Sequence, residues 1–403
     1  MRVLIAHNYY QQPGGEDYVF HSEAAMLESR GHDVYRYSMH NDDVGKVNRA
    51  KLARTTIWNQ ETYEDLRRVF REHKTDVAHF HNTILLLSPA AYYAAKAENV
   101  AVVQTLHNYR LHCLPGTFFR NDQICEDCFG KSPMAGVRHS CYRESRMQSI
   151  VLASMLMYHR SLGTYQTKID RYIALTEYAR KKFHEGGIPI EKIAVKPNFL
   201  EQDPGMGAPG GDYMIFIGRL TKEKGILTLL NAWRRLQDIP LKIVGDGPLM
   251  PQAKRYIELH NMKHVELLGH QPRVKTMSLL QNALSLIFPS EWNEPFPLTI
   301  VEGLACGKAI VAAKLGAPST VVENGKTGLY FEPRNANELA AAACSLWMDK
   351  PKAIQMGAAA RKVFEEQYTA EHNYEVLMGI YESVLAEQDE TMPSKPEKQP
   401  AKQ

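Results

Sequence analysis

Glu294 and Glu302 stand eight residues apart in the segment Pro289-Ser290-Glu291-Trp292-Asn293-Glu294-Pro295-Phe296-Pro297-Leu298-Thr299-Ile300-Val301-Glu302. Pro297 predicts a helix start, at the first helical position, where its missing N–H costs nothing and its φ is already helical. Glu294 is then expected on the loop ahead of the helix, and Glu302 about two turns along it. The amides of Phe296, Leu298 and Thr299 would have no intrahelical acceptor, and the helix dipole would favour an anion beside them. An acid before such a site and an acid beyond it suit one ligand: a sugar, its pyrophosphate and its ribose. Two solvated carboxylates on an ordinary strand–loop–helix unit are the plain alternative. The joint pattern, followed by Leu304-Ala305-Cys306-Gly307-Lys308 and the apolar Ala309-Ile310-Val311-Ala312, favours the ligand.

A second cluster of chemistry follows the apolar run Tyr213-Met214-Ile215-Phe216-Ile217. It reads Gly218-Arg219-Leu220-Thr221-Lys222-Glu223-Lys224-Gly225. Arg219, just past a strand's carboxyl end, offers a planar fork, and Lys224, at the next helix start, offers a point charge. A cation there opposes the helix dipole unless an anion offsets it, so the pair suits a diphosphate leaving group; a charged surface turn is the alternative. Val244-Gly245-Asp246-Gly247-Pro248, Gly269-His270-Gln271 and Gly316-Ala317-Pro318-Ser319 read equally as edges of the same cleft or as plain turns.

In the first half, Gly14-Gly15-Glu16 lies between a first strand and helix, a spacing that ordinary turns share. His107 ends the run Val102-Val103-Gln104-Thr105-Leu106, and His81 ends Asp76-Val77-Ala78-His79-Phe80. Cys113, Cys125, Cys128 and Cys141 fall in one segment, Cys125 and Cys128 as a CxxC knuckle. Four thiolates from one loop suit a structural tetrahedral zinc site, but the outer spacings do not form a second knuckle, so unligated thiols remain the alternative. The apolar Ile150-Val151-Leu152-Ala153-Ser154-Met155-Leu156-Met157, flanked by Arg143, Arg146 and Arg160, reads either as core packing or as a surface helix resting on a membrane.

These groups need two α/β units to position them. Strands are expected near 3–6, 33–37, 76–80, 100–105, 171–175 and 192–195, then near 213–217, 241–244, 265–268, 284–288 and 309–311, with helical stretches between. Such alternation predicts parallel sheets covered on both faces, with ligands at the strands' carboxyl ends. The reading is an acceptor-side domain over 1–198 with a Cys-rich insertion at about 108–142, a linker over 199–212, a donor domain over 213–370, a helix over 371–386 and a disordered tail over 387–403. The 403 residues suffice for two cores, and a formal charge of +3 gives no drive toward nucleic acid. No apolar run reaches the roughly 20 residues of a membrane span, and the N-terminus reads as a strand rather than a secretory signal, so a cytoplasmic protein is expected.

Gly218-Arg219, Lys224-Gly225, the Glu294/Glu302 pair and Asn324-Gly325-Lys326-Thr327-Gly328 together resemble the retaining glycosyltransferases of family 4, over about residues 1–386. The resemblance implies a GT-B fold, two Rossmann-like doubly wound domains facing a central cleft. It implies that Arg219 and Lys224 hold a donor diphosphate, that Glu294 meets the transferred sugar and Glu302 the ribose, and that Gly14 and Gly15 border the phosphates. It also places His107 near the sugar, with Glu16 and His81 on the acceptor side, and sends the last helix back to the first domain. The expected partners are a nucleotide-sugar and a saccharide or lipid-linked acceptor, with peripheral contact at the inner face of the membrane. No Asp-x-Asp motif stands out, so no catalytic metal is expected. A nucleotide-sugar epimerase of the same fold, or a non-catalytic sugar-nucleotide-binding subunit, is the alternative.

Overall fold

The computed structural model describes residues 1–11, 14–46 and 48–391. Eight strands precede residue 200: β1 Arg2–Tyr9, β2 Asp33–His40, β3 Val77–Asn82, β4 Ala101–Leu106, the short β5 Phe119–Arg120 and β6 Gln123–Ile124, β7 Arg171–Ala174 and β8 Ile193–Val195. Six follow it: β9 Met214–Ile217, β10 Leu241–Val244, β11 Val265–Gly269, β12 Ser285–Phe288, β13 Ala309–Ala313 and β14 Gly328–Phe331. They form two parallel six-stranded sheets, ordered β2-β1-β3-β4-β7-β8 and β11-β10-β9-β12-β13-β14, while β5 and β6 pair as a separate antiparallel hairpin. Every residue of β3, β4, β12 and β13 is buried. That is why these runs do not alternate apolar with exposed polar residues: helices cover both faces of a parallel sheet, and the polar residues in them, His79, His81, Asn82, Gln104, Thr105 and Ser285, are buried as well.

In each sheet the strand order reverses once, between β1 and β3 and between β9 and β12. Chain leaving adjacent strands on either side of a reversal diverges, and the gap it leaves is where open α/β sheets hold ligands. The reversal in the second sheet lies between the strands that feed Gly218–Gly225 and Pro289–Pro297. These two loops pack backbone to backbone: Gly225 has φ +72°, and a Cβ added to it would lie 1.8 Å from the carbonyl oxygen of Pro289. Glycine alone meets both the left-handed conformation and the close approach.

The chain passes between the two units at Leu200 and Thr369, which form a parallel bridge. The helix Ala370–Thr391 then lies on the first sheet, where Leu377, Tyr381 and Val384 pack with Val3, Val77, Val103 and Ile173. The disordered tail expected from Glu387 is corrected as far as Thr391, which is still helical; residues 392–403 lie outside the described residues. The helix Arg146–Ser161 turns Leu152, Ala153, Met155 and Leu156 into the core and leaves Met147, Ile150, Met157 and Tyr158 exposed. Its apolar stretch therefore serves both the core and the surface. Among the described residues no helix is long and apolar enough to cross a membrane.

Candidate active site

Lys224 and Glu294 form the centre of the second-domain site. Lys224 ends a single 3-10 turn, Lys222–Lys224, and Gly225 separates it from the helix Ile226–Trp233. Its Nζ lies 2.6 Å from Glu294 Oε1. The anion that offsets this cation is thus supplied by the protein, across the Gly225–Pro289 contact. Glu294 is only 4% exposed, and a buried carboxylate persists as an ion only with a partner and hydrogen bonds. It has both: Ser290 Oγ donates to the same Oε1 at 2.6 Å and Trp292 Nε1 at 3.1 Å. Three donors thus meet Oε1, and among the described residues none donates to Oε2.

The helix after this loop runs Leu298–Ala305 and carries no side-chain cap. Two positions differ from the sequence expectation. Pro297 is the capping residue, with φ −91° and ψ 79°, rather than the first helical residue, and its carbonyl accepts from Ile300 N at 2.9 Å. Glu302 is accordingly the fifth helical residue, little more than one turn along. The uncapped first turn, with the amides of Leu298 and Thr299, opens beside Phe296 and Glu294. Arg219 sits exposed on the neighbouring loop, where the Gly218 amide is fixed by the Val244 carbonyl at 3.0 Å.

Glu302 is not a lone ribose acceptor. Arg273 Nη1 donates to its Oε1 at 2.7 Å, and the Arg273 guanidinium lies 4.7 Å from the centre of the Tyr18 ring in the first domain. Burial raises the Glu302 pKa and the Arg273 charge opposes the rise. The sequence reading missed Arg273. Its signal was available: like Lys224 it is a cation at a helix start, the first residue of Arg273–Gln281.

In the first domain His107 follows β4 directly and is half-buried. Its Nε2 lies 2.8 Å from His81 Nδ1. His81 Nε2 lies 3.1 Å from Glu23 Oε2, and the other Glu23 oxygen accepts from Lys196. His81, expected on the acceptor side, therefore bonds His107 through Nδ1 and turns Nε2 toward the Glu23 carboxylate without a hydrogen bond, so it stands behind His107. Burial, with the neighbouring His81, holds the His107 pKa well below the usual histidine range. Glu23 was not foreseen. It shares a helical stripe with Val19, Phe20, Ala24 and Leu27, all buried, and an acid on an apolar stripe is the signal that could have found it.

Gly14 caps the helix Gly15–Ser29, and its amide donates to Asp17 Oδ2 at 2.7 Å. Asp17 Oδ1 in turn lies 2.6 Å from the buried His7 Nε2, so this acid ties the Gly14-Gly15 loop to β1. Among the described residues no atom lies within 4 Å of a Cβ added to either glycine. Glu16 Oε2 accepts from Asn108 Nδ2 at 3.3 Å, and burial, opposed by Arg110, raises the Glu16 pKa.

Cys113, Cys125, Cys128 and Cys141 line one small cavity together with Asp127 and His139. Burial pushes the Cys113 thiol up to about 11 and raises Cys128 and Cys141 as well. The one group of metal-ligand atoms within 4.8 Å of one another, among the described residues, is elsewhere: Glu23, His79 and His81. The insertion reaches the second domain through Asp122, whose carboxylate is 3.0 Å from Lys222 Nζ.

Two doubly wound domains with their strand ends turned toward one another, and joined by a helix that returns to the first sheet, define a GT-B protein. The model described as "Glycosyl transferases group 1" matches residues 203–363, and "Glycosyltransferase Family 4" matches residues 13–203. The chain belongs to this glycosyltransferase family. It is 28% identical over 173 residues to an uncharacterized glycosyltransferase of Methanocaldococcus jannaschii, the match covering 43% of this chain and 48% of that one. The chain thus spans about half the length of that relative. It is 23% identical over 405 residues to the N-acetyl-alpha-D-glucosaminyl L-malate synthase of Bacillus anthracis, covering 96% and 98% of the two chains. The crystal structure of Anabaena HepE in complex with UDP superposes with a TM-score of 0.69 at 16% identity, over 95% of this chain and all of that one.

The Glu302–Arg273 pair carries a pH-dependent prediction. A carboxyl whose pKa is raised by folding stabilises the fold below its unfolded pKa, and that stability is lost as pH rises through the folded pKa. Arg273→Met removes the charge that opposes the rise. The variant should lose about 1–2 kcal/mol near neutral pH, a discounted figure because Arg273 is half exposed. The loss should shrink toward pH 4, where Glu302 is protonated; urea unfolding at both pH values would show it.

Proposed function

We propose that the protein is a cytoplasmic retaining glycosyltransferase that moves a sugar from a nucleotide-sugar to an acceptor hydroxyl, in polysaccharide or glycoconjugate synthesis. The observation that carries this reading is the pair formed by half-buried Lys224 and buried Glu294 beside an uncapped helix start, at the reversal of the second sheet. In this reading the diphosphate lies against the amides of Leu298 and Thr299, with Arg219 and Lys224 on its other side and Gly14-Gly15 closing over it. Glu294 Oε2 accepts from a hydroxyl of the transferred sugar. Glu302 Oε2, the oxygen Arg273 leaves, accepts from the ribose.

The chemical step breaks the bond from the anomeric carbon to the diphosphate oxygen and forms one to the acceptor oxygen on the same face. The acceptor's proton passes to the departing phosphate oxygen. Negative charge grows on the diphosphate as the bond breaks, so cations and amides already aimed there lower the barrier. No catalytic metal enters this reading. The HepE structure holds UDP, which supports a uridine nucleotide as the first donor to try.

Two finer readings belong with it. The insertion cysteines take a structural zinc ion: four thiols lie on one cavity, and thiols become thiolates when a divalent cation binds. The exposed face of the helix Arg146–Ser161, with Met147, Ile150, Met157 and Tyr158 beside Arg143 and Arg146, rests on an anionic membrane and brings a lipid-linked acceptor to the site.

Lys224→Ala and Glu294→Ala should each abolish transfer from the nucleotide-sugar that stabilises the native protein best in a thermal panel, while circular dichroism stays native. Unchanged turnover in either variant removes the site assignment, and conversion of the free sugar-nucleotide without acceptor would mark an epimerase instead. Elemental analysis should find about one zinc per chain, lost together with Cys125 and Cys128 in the double serine variant; a metal-free native protein overturns the zinc site. Vesicles containing phosphatidylglycerol should sediment the native protein, and Met147→Ser with Met157→Ser should leave it in the supernatant. Equal sedimentation of both removes the membrane contact.

A further inference from the structure

Glu23, His79 and His81 bring three ligand atoms within 4.8 Å, a spacing that suits a metal ion. Their other contacts point elsewhere. Both ring nitrogens of His79 are committed, Nδ1 to Tyr381 Oη at 2.7 Å and Nε2 to Thr105 Oγ1 at 2.7 Å. Lys196, fully buried, donates to Glu23 Oε1, and also to Asn373 Oδ1 at 3.1 Å. A divalent cation beside a buried ammonium would be repelled. The cluster is a chain of polar contacts, Lys196–Glu23–His81–His107, hydrogen-bonded at its first and last links and joined between them by the 3.1 Å contact of Glu23 Oε2 with His81 Nε2; it starts against the helix Ala370–Thr391 and ends at the strand terminus facing the site.

The direction of every proton in that chain is set by its first two members. An ammonium only donates and a carboxylate only accepts. Glu23 therefore takes Lys196 on Oε1, while its Oε2 lies 3.1 Å from His81 Nε2 without hydrogen-bond alignment, a contact at which the carboxylate charge favours a proton over a lone pair on that nitrogen. A neutral His81 then has a bare Nδ1, so the nitrogen 2.8 Å away, His107 Nε2, must carry the proton between them. The second nitrogen of His107 is left without one. We infer that Glu23 is a positioning residue that locks His107 in the Nε2–H tautomer, leaving Nδ1 to accept a hydrogen bond from a ligand hydroxyl. Burial would by itself neutralise Glu23, yet the Lys196 charge and the adjacent His81 keep its pKa well below the ordinary carboxylate range. Burial also keeps the rings of His79, His81 and His107 neutral.

The use of Nδ1 in catalysis rests on the donor site proposed above, but the tautomer can be read without any substrate, so the two fail separately. Long-range proton–nitrogen spectra of the full-length protein labelled with ¹⁵N-histidine report which ring nitrogen carries hydrogen. Signals lost in His81→Asn and in His107→Asn assign the two rings. In the native protein near neutral pH, both should be neutral Nε2–H tautomers. In Glu23→Leu with Lys196→Met, which removes acid and counter-charge together, the His107 nitrogens should shift toward a mixture with the Nδ1–H form. An Nδ1–H or doubly protonated His107 in the native spectrum overturns the inference, whether or not the double variant folds. Unchanged tautomers at both rings in a folded double variant overturn the role of Glu23.

Discussion

A carboxylate taken out of water beside a single cation is costly unless every other bond it needs is supplied, and Glu294 is in that position. Its partner Lys224 comes from a different loop, seventy positions earlier in the chain, and the two loops touch through Gly225 and Pro289. The pair therefore fixes the relative placement of the strand ends of β9 and β12. Around that fixed point lie the uncapped helix start at Leu298, the Gly218 loop and, through Glu302 and Arg273, the Tyr18 ring of the other domain. One ion pair thus sets the geometry for most of what the site presents.

The first domain uses the same device with different ends. Glu23 is charged in the interior because Lys196 is beside it, and the surplus accepting capacity of the carboxylate is passed along two histidine rings toward the cleft. Asn373 connects this chain to the terminal helix through Lys196, and Tyr381 of that helix bonds the adjacent His79. The helix that returns from the second domain therefore does more than cover the apolar face of the first sheet: its polar side chains complete the hydrogen bonding of groups that stand one residue removed from the site. In both domains a buried acid is arranged so that one oxygen is saturated by the protein and chemistry is left to the other oxygen or to the group it supports.

The insertion has a different logic. Phe118, Tyr109 and Leu114 anchor it in the first core, while Asp122 reaches Lys222 of the second domain. Its four cysteines line one cavity. Their number suits a tetrahedral metal site, but their spacing gives a single knuckle, so the sequence left both thiols and a metal open.

The sequence by itself determined the alternation of strands and helices, because continuously apolar runs of four to six residues separated by amphipathic stretches have one economical packing, a parallel sheet covered on both faces. It also marked Lys224, as a cation at a helix start, and Glu294 with Glu302, by their joint spacing around another. What it could not contain was which charge answers which. Lys224 pairs with Glu294, Glu302 with Arg273 and Glu23 with Lys196 across 70, 29 and 173 positions of chain. Such pairings depend on strand order, and strand order is set by how whole sheets close rather than by any local pattern. Pro297 shows the same limit at short range: proline's fixed ring favours a helix start, yet the loop tied down at Glu294 draws its ψ out of the helical region and makes it the cap. Local propensity chose the elements, and the desolvation of a few charges decided how they meet.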